Sequence, residues 1–93
     1  MTIMQLRQEA IDLRDLAVQA VSGVSISLDY VWRRLAELFN QVRHVLAKRA
    51  DGFTLEGVSP SWDEVSNRAN HVIRACDVVE PPPSIDIPGG YGA

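Results

Sequence analysis

Apolar residues recur at alternating steps of three and four in three separate stretches of the chain. The first row is Leu6, Ala10, Leu13, Ala17, Ala20 and Val24. The second is Leu28, Val31, Leu35, Leu38, Val42 and Val45, widened by Trp32, Phe39 and Leu46. The third is Trp62, Val65, Ala69, Val72, Cys76 and Val79. That spacing lines one face of an α-helix, and no stretch shows the strict alternation of a half-covered strand. Each row needs another element to cover it, so the pattern predicts an all-α fold. The expected architecture is a small up-down bundle of two long helices and a shorter third, spanning residues 1–80, followed by an extended Pro/Gly-rich arm, 81–93.

The residues between the rows punctuate them. Ser22-Gly23 offers a helix end and Val24-Ser25-Ile26-Ser27 a new start. The apolar seam passes through this segment with little change of phase, so one continuous helix from about 4 to 50 competes with a hairpin. Asp51-Gly52 closes the second helix, and Ser61-Trp62-Asp63-Glu64 reads as a capping box for the third. Phe53, Leu55 and Val58, in the intervening loop, are expected to pin it to the core. Pro81-Pro82-Pro83 stops the third helix, because three prolines cannot continue one.

Two arginines break the first row's logic. Arg7 and Arg14, seven residues apart, fall inside the apolar arc, between Ile3 and Val21 on one side and Ile11 and Val18 on the other. The polar arc opposite holds Gln5, Gln8, Glu9, Asp12, Asp15 and Gln19. Such arginines either lay their stems on apolar surface and reach water, or grip an anion with the planar guanidinium fork. The anion would belong to a partner protein, to a second copy or to a small ligand. Ile3, Ile11, Val18 and Trp32 are the accompanying candidates for an interface. In the arm, the polyproline run followed by Ile85, Ile87 and Tyr91 forms a second candidate docking element.

Charge and composition change this picture only in part. The net charge of −3 over 93 residues gives no general attraction to nucleic acid or anionic lipid. Its distribution is uneven: residues 28–50 carry five basic and two acidic groups, whereas 51–93 carry two basic and seven acidic ones. Arg33-Arg34, Arg43-His44 and Lys48-Arg49 read as a solvated face. The stretch "GVSPSWDEVSNR" shares Gly-Val-Ser and Val-Ser with the turn and recognition helix of helix-turn-helix repressors. Its spacing is too long, however, and Asp63 and Glu64 at the helix start would repel phosphates, so DNA is not an expected partner. No apolar run approaches the ~20 residues needed to span a bilayer. The start, MTIMQLRQEA, does not read as a secretory signal, and a cytoplasmic setting is expected.

Chemistry is sparse. Cys76, the single cysteine, permits neither an intrachain disulfide nor a Cys-rich zinc site, and its place in an apolar row predicts a buried thiol. No HExxH, Cys-x-x-Cys, GxGxxG or phosphate loop occurs. Neither catalytic residues, a metal nor a cofactor is therefore expected. The reading is a non-enzymatic helical protein that self-associates and binds a protein partner, of a size that suits a phage or mobile-element accessory or inhibitor. The alternative is a small helical oligomer that sequesters a phosphorylated metabolite or nucleotide between subunits, with Arg7 and Arg14 on phosphates and Tyr30, Trp32 or Tyr91 stacked on a base.

Overall fold

The computed structural model describes residues 2–46 and 52–79, and these form three helices: α1 (Ile3–Val21), α2 (Leu28–Val45) and α3 (Trp62–Val79). The third helix is as long as the second, at 18 residues, rather than shorter. Ile85, Ile87, Tyr91 and the expected boundary at residue 80 lie outside the described residues. None of the three helices is long and apolar enough to cross a membrane.

Local capping chemistry explains the ends. Thr2 and Gln5 form a capping box at the start of α1: Gln5 N donates to Thr2 Oγ1 at 3.2 Å, and Thr2 N donates to Gln5 Oε1 at 2.8 Å. At the far end, Val24 N donates to Gln19 O and Gly23 N to Ala20 O, the paired bonds of a Schellman stop. Gly23 sits at φ 110°, a conformation that a residue with a Cβ rarely adopts. The chain therefore breaks here, and the continuous helix is not formed. Ser27 then caps α2, accepting from Tyr30 N. Ser61 accepts from Glu64 N at 3.1 Å, one half of the expected capping box. The Glu64 carboxylate instead accepts from Arg68 Nε at 3.0 Å, one turn along α3.

The buried core follows the three rows closely. Leu6, Ala10, Leu13 and Ala17 of α1 meet Val31, Leu35, Leu38, Phe39 and Val42 of α2 and Val65, Ala69, Val72, Ile73 and Cys76 of α3. Burying a Leu, Val or Phe contributes about 1.5–3 kcal/mol each, so these rows hold the bundle together. The rows fail at their ends: Val24 and Val79 are exposed.

The direction of α3 departs from simple up-down alternation. Arg7 meets Asp77 and Arg14 meets Asn70, while Ala17, Val18 and Val21 share a cleft with Trp62 and Asp63. Helix α3 therefore runs antiparallel to α1, with its start beside the end of α1. Helix α2 also starts at that end, so α2 and α3 run the same way and the connection between them has to return along the bundle. Phe53 anchors that return. Its ring sits edge-on to Phe39 of α2 (5.4 Å) and stacks on His71 of α3 (4.3 Å between centroids). From there to Ser61 the loop covers nine residues of α3, about 14 Å at the helical rise. Phe53 is fully buried and Leu55 partly so, as expected; Val58 is half-buried.

Candidate functional site

The flank of α1 that faces α3 carries the two arginines. Arg7 Nε donates to Asp77 Oδ1 at 2.7 Å, and about a third of each side chain remains exposed. Arg14 Nη1 donates to Asn70 Oδ1 at 3.2 Å. Both pairs follow from the antiparallel register, in which a seven-residue step up α1 matches a seven-residue step down α3. The arginines thus reach across to α3 of their own chain, and a small anion would have to displace Asp77 or Asn70, or share Arg with them. Among the described residues Arg14 has no carboxylate within ion-pair distance, so its charge is hydrogen-bonded but not neutralised.

The opposite flank of α1 meets α2 through Glu9, whose carboxylate accepts from Arg34 Nη2. The Arg34 guanidinium also lies 5.7 Å from the centre of the Tyr30 ring, a cation–π distance. Its pKa is raised: burial lowers it, but hydrogen bonding and attraction to Glu9, with a contribution from Tyr30, outweigh that. Arg43 Nη1 donates to the Phe53 carbonyl and Nη2 to Asn40 Oδ1, fastening α2 to the returning loop. Arg34 is thus a half-buried structural tie, not a member of a solvated face; Arg33, Arg43 and His44 are exposed as expected, Arg43 while also holding the loop. Lys48 and Arg49 lie outside the described residues.

Clefts lie along the surface of the described residues. One of about 340 Å³ opens between α1 and α2, lined by Glu9, Arg34, Glu37, Leu38, Asn40 and Gln41. A second of about 410 Å³ is bounded by Gly52, Glu64, Asn67, Arg68 and His71. The third, about 200 Å³, is the apolar end cleft at Ala17, Val18, Val21 and Trp62. Among the described residues no group of three or more His, Cys, Asp or Glu could hold a metal ion. Cys76 is fully buried in the core.

The interface candidates separate by exposure. Ile3, Ile11 and Trp32 are half-buried against the core, while Val18 is 56% exposed. Met4 (53%) and Val21 (70%), both on α1, were not singled out by the sequence pattern as interface residues, yet they stand out as far as Val18. Tyr30 and Trp32 are not gathered with Arg7 and Arg14: Tyr30 neighbours Arg34 on the other flank of α1, and Trp32 packs on the core from α2. Asp77 and Asn70 went unrecognised as the arginines' partners. Their own seven-residue spacing on α3 was the available signal. The chain was compared with protein-family models, curated proteins and solved structures, and none matches.

Proposed function

We propose that this chain is a non-enzymatic helical interaction protein that self-associates through the outward side of α1 and uses that assembly to engage a protein partner. One observation carries the reading: Met4, Val18 and Val21, all on one helix, are each more than half exposed, whereas Leu6, Ala10, Leu13 and Ala17 of the same helix are buried. Single exposed apolar residues need no explanation, but several along one helix mark a surface that gains from being covered. The end cleft at Val18, Val21 and Trp62 extends the same surface. Chains of this length bury only ~60–70% of their unfolded surface, so covering more by association would stabilise the fold.

Solution mass across a protein dilution series tests this. The expected result is a species heavier than the 10.3 kDa chain, with a melting temperature that rises with protein concentration, because association adds stability by mass action. A strict monomer whose melting is independent of concentration overturns self-association.

A further inference from the structure

Resting on that reading, we infer that two copies of the chain pair through α1, antiparallel, about a two-fold axis that passes beside Ile11. Met4, Ile11 and Val18 stand at steps of seven, which places them on one side of α1 with only ~20° of drift per step. They span about 21 Å. The row is symmetric about its middle member. Turning a second α1 end for end sets Met4 against the partner's Val18, Val18 against the partner's Met4, and Ile11 beside the partner's Ile11. A two-fold contact requires such self-complementarity, because one patch serves both sides. A long Met side chain opposite a short Val also fills the gap more evenly than Met on Met at one end and Val on Val at the other.

Asp77 can offset the positive charge that this arrangement brings together. Arg7 and Arg14 lie along one flank of this row, the flank next to α3. A two-fold axis perpendicular to the helices brings like flanks together, so Arg14 comes to the level of the partner's Arg7 and the partner's Asp77. Arg14 is held by the neutral amide oxygen of Asn70 and lacks a carboxylate among the described residues. Asp77 uses Oδ1 for Arg7, and an ionised carboxylate has about four acceptor sites. Each Asp77 can thus bridge its own Arg7 and the Arg14 of the other copy, giving two symmetric bridges beside the apolar row. A parallel pairing would instead put the partner's Gln8 and Asp15 on this flank. The crosslinking pattern separates that pairing from the antiparallel one.

Cysteine crosslinking tests the geometry, with solution mass measured on the same samples. The parent chain, whose Cys76 is buried, is the control for background reaction. Ile11→Cys should crosslink to itself, whereas Met4→Cys and Val18→Cys should crosslink when mixed and not alone. Ile11→Glu should abolish the dimer while leaving helix content unchanged. Should that variant unfold, the crosslinking pattern still decides. Self-crosslinking of Met4→Cys, or a dimer that persists in folded Ile11→Glu, overturns the antiparallel α1 contact and leaves self-association standing. A monomer at every concentration up to ~0.5 mM, where any association has a Kd weaker than roughly 1 mM, overturns both, and a foreign helix would then be the occupant of this face.

Discussion

Helix α1 has two seams, and they are built differently. Towards α3, with which its packing is most extensive, the residues that meet include the buried small side chains Ala10, Ala17 and Ala69. Two polar pairs, Arg7–Asp77 and Arg14–Asn70, close that seam at matched steps. Towards α2 the buried side chains include the larger Leu35 and Leu38, the rim carries the Glu9–Arg34 ion pair, and a cleft of about 340 Å³ remains open. Small residues allow close approach of helix axes and large ones hold them apart, so the axial distance is set by the side chains at the contact. The difference teaches that arginines inside an apolar arc need no hydrated exit when the neighbouring helix brings acceptors at the same spacing. The third seam, between α2 and α3, is partly filled by the ring of Phe53.

That ring should give the largest effect. Phe53→Ala removes a fully buried aromatic side chain from between Phe39 and His71, and the expected loss in a denaturant titration is about 3–5 kcal/mol. Leu55→Ala, at a partly buried position of the same loop, should cost clearly less. Equal costs would mean that the loop is held along its length and that Phe53 is not its anchor.

The contrast between the seams can be broken directly by adding volume to each. Ala69→Leu overfills a fully buried site on the closed seam and should destabilise by about 1–3 kcal/mol. Gln41→Leu adds an apolar side chain at the edge of the α1–α2 cleft and should stay within ~0.5 kcal/mol of the parent. If the two variants melt alike, the seams do not differ in how tightly they close.

Removing one polar tie from each seam sharpens the comparison further. Arg7→Ala and Arg34→Ala each delete an ion pair whose side chains are about one-third exposed, where solvent screening keeps such pairs at or below ~1 kcal/mol. Both should therefore cost little by thermal melting, and Arg7→Ala should cost less in high salt. A loss well above that range at Arg7 would make the arginine row the main fastening of α3. The apolar core beneath would then be secondary.

Much of this architecture was legible before any coordinates. The three rows are a direct record of burial, because a helix face repeats with the period of the helix; Leu13, Leu35 and Val65 are where that period puts them. Gly23 and Ser27 were legible because caps are local chemistry. The direction of α3 was not, since an apolar row reads the same from either end; contacts across the bundle, such as Arg7–Asp77 and Arg14–Asn70, reveal it. Glu64 drew a capping-box reading that Arg68 half defeats, because a cation one turn along competes for the same carboxylate. Thr2–Gln5 is the box that forms in full, at a position where the helical pattern presents Gln5 as one of the polar arc. Of the candidate site, Arg7, Arg14, Ile11 and Val18 were visible as anomalies of pattern. Their partners required the three-dimensional register.

The smallest expected effect concerns His71, and it probes the wedge between α2 and α3. Its ring lies nearly parallel to that of Phe53, with an interplanar angle of 19°. Its pKa is lowered from the ordinary value of 6.5, first by burial and then by the cations Arg74 and Arg68. In the pH range just below 6.5 the unfolded chain therefore binds more protons at this site than the folded one does. Stability then rises with pH across that range and levels off above it, so acidification through the folded-state pKa weakens the fold. His71→Phe keeps an aromatic ring against Phe53 and removes the titration. The difference in melting temperature between parent and variant should be flat above pH 7 and should grow in the variant's favour on acidification towards pH 5. A difference that does not change over that range would mean that the imidazole is equally easy to protonate folded and unfolded. Its burial against Phe53 would then impose no penalty on the charged form.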